Sequence, residues 1–259
     1  MVSGWRLVYL GEVDPFEMAS YREVFRRARE QDLIPDSLIA LRLSKPTAML
    51  GEKAFSGRWI NKKFCEENDV TIIRGYGPGN ISNYFGPKQI LCWIVHKEAE
   101  DSKRWEMLGI KKCIVHALQI LGLDSTSEGT RNDVLMRGKK VSSIGMYGVF
   151  GDVWIYSIDI FMNFNFEIAE KAIVSKHKVP MHETMTEIRV EAGRDISFEE
   201  MIDALKDAIE EEYNIEFDIS DRLTDAEEAL IESLREKYTS NLWLRLGKWS
   251  PVKDYWRPK

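Results

Sequence analysis

The sequence predicts an α/β domain, on three observations. Short apolar or alternating runs of strand type recur along the chain, and between them lie stretches whose apolar residues fall three and four apart, the spacing of amphipathic helices. The third is size: 259 residues, 44% of them hydrophobic, are enough to bury one substantial core. A net charge of -6 argues against a general nucleic-acid binder, which needs a clustered excess of Lys and Arg to neutralise phosphates. Cys65, Cys92 and Cys113 are odd in number and spaced for neither a zinc site nor a disulfide framework, so they read as reduced thiols. There is no signal-peptide pattern and no apolar run long enough to cross a bilayer, and the expected location is cytoplasmic.

Trp5 to Leu10 is a short apolar strand, and after Pro15 the series Met18, Tyr21, Val24, Phe25, Ala28 has helical spacing. Ser37 to Leu43 and Pro46 to Gly51 read as strands, with Arg42 a surface charge, and a helix follows from Asn61 to Glu67. Val70 to Ile73 is a strand feeding Arg74-Gly75-Tyr76-Gly77-Pro78-Gly79-Asn80. Three glycines in five positions suit a loop whose backbone N–H groups approach an anion, and they suit an ordinary turn equally well. Gln89 to Val95 is a nearly unbroken apolar run, the mark of a strand buried on both faces. Trp105 to Leu121 is a helix with Leu108, Cys113, Val115, Leu118 and Leu121 on its apolar stripe. Cys113 and His116 lie three apart there, but no second ligand pair is near in sequence, and core packing accounts for them better than a metal or nucleophile site.

The stretch from Gly129 to Ser143 is a polar segment, a short apolar run, a tight Arg137-Gly138 turn and a returning strand that opens on Lys139 and Lys140. A Lys-Lys pair on a bare hairpin is ordinarily solvated surface; a lysine carried on a strand can also be aimed at a phosphate or a developing negative charge. Val153 to Phe161 is a strand and Phe166 to Ile173 a helix, and His177 and His182 flank Pro180 in a polar loop as a solvated pair. Ser197 caps a helix that runs through Glu212, Asn214 to Ile219 alternates as an edge strand, and Thr224 with Glu227 forms a capping box for a last helix. The acid-rich faces of these helices are solvated.

The hairpin resembles the Asn-Asp...Gly-x-Lys-[Val/Ile]-Ser-Gly signature of the lipoate-protein ligase A family, within the biotin and lipoate ligase superfamily. The matching positions are Arg131, Asn132, Asp133, Gly138, Lys140, Val141 and Ser142, with Ser143 where the family usually has glycine. Leu41, Arg42, Pro46 and Gly51 match a second pattern, and Lys237 to Trp243 resembles the family's Tyr-[Ser/Thr]-x-x-x-Trp-Asn close, with Leu244 in place of asparagine. Arg74, Gly77 and Gly79 align with the family's glycine-rich loop, from which Ile73, Tyr76, Pro78 and Asn83 depart. Pro78 removes a backbone donor and fixes its own φ, so this loop cannot cradle a phosphate in quite the family manner.

The resemblance implies one catalytic domain over residues 1–259, with mixed, largely antiparallel sheets flanked by helices and a cleft between the glycine loop and the hairpin. It implies ATP-dependent activation of lipoate (or octanoate) in the presence of Mg²⁺, then transfer to a lysine of a lipoyl acceptor domain, either the glycine cleavage H protein or a 2-oxoacid dehydrogenase E2. Lys140 is the inherited catalytic residue. Arg74, Tyr76, Gly77, Gly79, Asn83, Asn132, Asp133, Lys139 and Ser142 are the expected substrate and adenylate contacts, with Asp133 also the metal ligand. Many family members carry an accessory domain after the Trp-Asn close. Here Trp249, Tyr255 and Trp256 follow, which either fold back on the core or dock a separately encoded accessory polypeptide. The alternatives are a non-catalytic paralogue that binds a partner or acyl ligand, motivated by the altered loop, and an octanoyltransferase, for which a mid-helix cysteine is poorly placed.

Overall fold

Residues 4–249 are described by a computed structural model, apart from 55, 77–81, 98–106, 125, 130–131, 151 and 175–178. Strand β1 (Trp5–Val13) leads to α1 (Pro15–Glu30), which starts where Asp14 accepts from the N–H groups of Phe16 and Glu17, with Pro15 in the first turn. The expected stripe of α1 is buried, and so are Arg22, Glu23 and Arg29, because partners cover the helix on more than one side. Strands β2 (Asp36–Leu43) and β3 (Thr47–Leu50), helices α2 (Ser56–Trp59) and α3 (Lys62–Glu67), and strands β4 (Thr71–Arg74), β5 (Ser82–Phe85) and β6 (Ile90–Lys97) follow. After α4 (Met107–Ile120) come β7 (Thr126–Glu128), β8 (Asp133–Met136), β9 (Lys139–Phe150) and β10 (Val153–Ile160). Helices α5 (Phe166–Ala172), α6 (Met181–Thr184), α7 (Ile188–Ala192) and α8 (Phe198–Tyr213), strand β11 (Phe217–Ser220), and helices α9 (Asp225–Thr239) and α10 (Asn241–Leu246) complete the order.

Eight strands form one sheet in the order β11-β1-β2-β6-β10-β9-β8-β7, parallel where β1 meets β11 and β2, antiparallel from β2 onward. A three-stranded sheet, β4-β3-β5, pairs β3 parallel to β4 and antiparallel to β5. The large sheet is covered on both faces. Leu38, Cys92 and Ile94 join a core with Ile114 of α4 and Met201 and Leu205 of α8, while Ile39, Trp93 and Val95 join a second core with Tyr21 and Phe25 of α1 and Leu234 of α9. That two-sided burial is why β6 has a nearly unbroken apolar sequence; each fully buried large aliphatic contributes about 1.5–3 kcal/mol. A third core fills the space between the small sheet and α3 and α5.

Several boundaries differ from expectation. Leu108 is 49% exposed; of the expected stripe Cys113 and Leu118 are buried and Val115 and Leu121 partly buried, while Ile110, Ile114 and Ala117 complete the buried face. Trp105 lies outside the described residues. Asn214 is not in a strand: it ends α8 at φ 50, a left-handed conformation that asparagine tolerates, so the edge strand β11 begins only at Phe217. Short elements with too few residues for a period, namely α2, β5, β7, α6 and α7, had no counterpart in the reading of the sequence. Among the described residues, no helix is long and apolar enough to cross a membrane.

Helix α9 is fastened to the sheet and to α1 by buried charge. Arg6 on β1 donates two hydrogen bonds, at 2.7 and 3.1 Å, to Glu227, whose side chain is fully buried and also closes the capping box with Thr224. Glu23 on α1 accepts from Lys237 at 2.6 Å and Tyr238 at 2.7 Å, and from Arg27. Burial pushes the Glu23 carboxyl up, but Lys237, Tyr238 and Arg27 together outweigh that and hold it below its ordinary value.

Glu227→Ala is expected to cost about 3–5 kcal/mol, because it strands the buried Arg6 guanidinium, and urea unfolding measures it. A loss below about 1 kcal/mol would show that water reaches Arg6. Since the folded value of Glu23 is depressed, its contribution is complete above the ordinary glutamate value of 4.5 and is lost as pH falls through the lower folded value. Glu23→Gln should therefore flatten the fall in stability on acidification below that value, in denaturation series from about pH 6 to pH 3.

Candidate functional site

The β8–β9 hairpin turns at Arg137 (φ 48) and Gly138 (φ 79), the left-handed pair that a two-residue turn of this hand requires. Pairing runs Met136 with Lys139 and Leu135 with Lys140, then skips a residue: Val134 faces Ser142, and Asp133 faces Ser143. Val141 is thus an extra residue, a bulge that reverses the alternation of β9. Lys140 and Ser143 come to share one face of the sheet with Asp133 and Leu135, while Val141 and Ile144 join Val134 and Met136 in the core under α4.

That face floors a cavity of about 1500 Å³. The strands supply Asn83, Asp133, Lys140, Ser143 and Asp159, and the turn before β6 supplies Gln89; the opposite side, from α3, α5, α6 and their flanking loops, supplies mainly apolar groups, among them Ile60, Phe64, Phe161, Phe164, Ile173 and Met181. The ammonium of Lys140 lies 2.8 Å from Asp133 Oδ1. Asp159 lies across β9 from that pair; burial lifts its carboxyl to about 6, with Lys140 and then Arg22 pulling the other way. Tyr84 also lines the cavity. Among the described residues its buried hydroxyl has no hydrogen-bond partner, and burial, with a smaller push from Cys65, raises it to about 12.

Of the residues expected at the site, the structure brings Lys140, Asp133 and Asn83 to the cavity. Gly77 and Gly79, with Pro78, lie outside the described residues, as do Arg131 and His177. Arg74 is placed elsewhere. Its guanidinium is 1% exposed and donates to the carbonyls of Gly51, Glu52, Ala54, Leu244 and Arg245, so its donors are spent holding the turn after β3 against the C-terminal end of α10. Trp243 completes this clasp by donating from its indole to the Arg74 carbonyl at 3.0 Å. Tyr76 leans onto α1 and α9, its carbonyl accepting from Arg22 at 2.6 Å and its ring facing Arg26 and Lys237. Asn132 donates to Ile144 O at 2.6 Å and so pins the bulged hairpin. Lys139 reaches out to His182 O at 3.0 Å. Ser142 is fully buried on the side away from the cavity, because the bulge turns it there and presents Ser143 instead.

Sequence reasoning passed over Asp159, Ser143 and Tyr84. Asp159 did carry a signal, as a lone acid between Ile158 and Ile160 in an otherwise apolar strand. The three cysteines are buried, none lines the cavity, and burial raises each thiol, that of Cys113 to about 12. None offers an accessible thiolate. His116 stands 3.8 Å from Glu211 on the half-exposed side of α4, and His182 pairs with Glu170 at 3.2 Å. Among the described residues, no three His, Cys, Asp or Glu side chains gather to hold a metal ion.

The family model described as the lipoyl protein ligase A/B catalytic domain matches residues 14–210. Among solved structures, a lipoate-protein ligase A bound with ATP superposes with a TM-score of 0.80 at 18% identity, over 95% of this chain and 100% of that one. The bipartite lipoate protein ligase of Thermoplasma acidophilum, solved with its E2 lipoyl domain, gives 0.80 at 17% identity, over 97% of this chain and 100% of that chain. LipL1 of P. falciparum in complex with lipoate gives 0.77 at 13% identity, over 96% of this chain and 75% of that one. At these identities the likeness shows the fold. No curated protein sequence matches significantly.

Arg74→Lys is expected to lower stability by about 3 kcal/mol or more, since one ammonium cannot serve carbonyls on both sides of the guanidinium. It should also speed hydrogen exchange at the end of α10. A variant as stable as the wild type would show that those carbonyls find other donors.

Proposed function

Because the chain belongs to the lipoyl protein ligase A/B catalytic-domain family, we propose that it is an ATP-dependent lipoate-protein ligase. The observation that carries this reading is the Lys140 ammonium, held at 2.8 Å by Asp133 on a strand at the floor of a cavity whose other side is mainly apolar. Such a cavity suits a medium-length acyl chain with a carboxylate at the lysine end. In the first step a carboxylate oxygen of lipoate (or octanoate) attacks the α-phosphorus of ATP and pyrophosphate leaves. Lys140 stabilises the charge that develops on the carboxyl and phosphate oxygens, and being fixed beforehand it needs no reorganisation as the reaction proceeds. In the second step the lysine of a lipoyl domain attacks the acyl carbonyl and AMP leaves.

Mg²⁺ fits this site as an ion carried by the nucleotide, with Asp133 as its protein ligand. Magnesium commonly binds through one or two carboxylates plus substrate phosphates rather than in an all-protein cage, and its charge would offset that of the leaving pyrophosphate. Asn83 would orient the substrate from β5; Gly77 and Gly79, expected to contact it, lie outside the described residues. The acceptor is an E2 lipoyl domain or the glycine cleavage H protein, the former supported by the archaeal structural relative. The same relative is bipartite, which supports an accessory polypeptide for the adenylation step. Trp249, half-buried against the core of α1 and α9, is described; Tyr255 and Trp256, the other expected docking aromatics, are outside the described residues.

Lys140→Met should abolish formation of lipoyl-adenylate, since removal of a fixed donor from an enclosed site costs about 3 kcal/mol or more in the transition state. Lys139→Met should cost far less, because Lys139 is turned to the His182 carbonyl. Pyrophosphate release and lipoyl transfer to an E2 lipoyl domain are the two readouts, and equal losses in the two variants would overturn the assignment. ATP should also raise the melting temperature by mass action, with or without lipoate. If ATP leaves it unmoved, both alone and with an accessory polypeptide, the chain does not bind nucleotide as a ligase must.

A further inference from the structure

Three side chains stand in a row across the strands that floor the cavity. The register sets Asp133 of β8 opposite Ser143 of β9, and Ser143 opposite Asp159 of β10. Neighbouring strands lie about 4.8 Å apart, so two steps separate the carboxylates by roughly 10 Å, with Lys140 engaged at the Asp133 end. Asp159 accepts no hydrogen bond and makes no ion pair among the described residues, and the groups that influence or face it are Lys140 from β9, Arg22 from α1 and the neutral thiol of Cys92 from β6. Arg22 is itself committed to the Tyr76 carbonyl at 2.6 Å.

Resting on the ligase reading above, one requirement of the transfer step has no group assigned to it. The acceptor lysine arrives as an ammonium and must lose a proton before its nitrogen can attack. Lys140 already carries its protons, Asp133 is paired with Lys140, and Ser143, Asn83 and Gln89 are neutral. Glu170, at the other end of the cavity, is held by Met181 N at 2.6 Å and by His182. We propose that Asp159 receives the ammonium of the acceptor lysine and takes its proton. An N–H bond of the lysine breaks and the proton passes to the Asp159 carboxylate. The freed lone pair forms the amide bond to the acyl carbon, the bond from that carbon to the phosphate oxygen breaks, and AMP leaves. The second proton of the new amide nitrogen goes to solvent, as does the one on Asp159 once the products have left. Lifted to about 6, this carboxylate is ionised at neutral pH yet more basic than an exposed aspartate.

The test starts from chemically prepared lipoyl-adenylate, so that it does not depend on the ATP step. Single-turnover transfer to an E2 lipoyl domain is compared between wild type and Asp159→Asn, alongside transfer to hydroxylamine, an amine that is uncharged at neutral pH and needs no base. The expected result is a loss of about 100-fold or more toward the lipoyl domain, with hydroxamate formation retained. The wild-type rate should climb through about pH 6, and the variant should lack that rise. Equal rates of lipoyl-domain transfer in the two proteins overturn the proposal. So does an equal slowing toward both nucleophiles, which marks a positioning role. If the wild type uses the adenylate with neither nucleophile, the ligase reading itself fails and this inference falls with it.

Discussion

Between Val134 and Leu135 of β8, the facing strand β9 carries one residue more than strict pairing needs, and the orientation of the hairpin's side chains follows from that bulge. Without it Lys140, Ser142 and Ile144 would share a face, so that Ile144 would leave the core and Ser143 the cavity. With it, a strand that is apolar toward α4 can also present an ammonium to the opposite side. Asn132 secures the irregularity at both of its backbone-facing ends: its side chain donates to Ile144 O, and its carbonyl accepts from Ile144 N at 2.9 Å. The turn of Ser143 toward the cavity and of Ile144 into the core thus rests on hydrogen bonds from Asn132.

Scaffold and site use charge differently. Away from the cavity, Glu23, Glu227 and Arg74 are buried with their hydrogen-bonding capacity largely filled, and each ties together segments far apart in the chain. In the cavity, among the described residues, the Tyr84 hydroxyl has no hydrogen-bond partner and Asp159 accepts none, influenced only at a distance by Lys140 and Arg22. A carboxyl whose folded value is raised lowers stability as pH climbs from its ordinary value of 3.8 through about 6. The fold therefore tolerates at Asp159 a cost that it avoids elsewhere, the pattern expected where local rules yield to chemistry.

The strands and long helices were legible because their signals are local: a period, a cap, a glycine. Ser197 is the expected N-cap, with Glu200 also closing a capping box, Thr224 and Glu227 form the expected one, and the unbroken apolar sequence of β6 does mark a strand covered on both faces. Lys140 and Asp133 were legible as well, through the hairpin that carries them. What could not be read depends on partners distant in sequence or on irregular pairing. Ser142 rather than Ser143 looks like the inward residue as long as β9 is taken to alternate regularly. Arg74, next to a glycine loop, looks like a ligand group until the carbonyls of α10 are seen to occupy it. Asp159 becomes visible as a site residue only when β9 and β10 are laid side by side.

The clasp around Arg74 also bears on how the chain is made. Its guanidinium joins the turn after β3 to the carbonyl of a residue 170 positions later. At ribosomal rates of about 5–20 residues per second, roughly 10–30 seconds separate the synthesis of the two halves. Through that interval the donors that Arg74 directs to the carbonyls of Leu244 and Arg245 have only water to bond. Closure of the small sheet is in this sense a late, long-range event, with the slow folding that distant contacts bring, and a ribosome that stalls before Leu244 would release a chain with its large sheet made and its clasp unlatched.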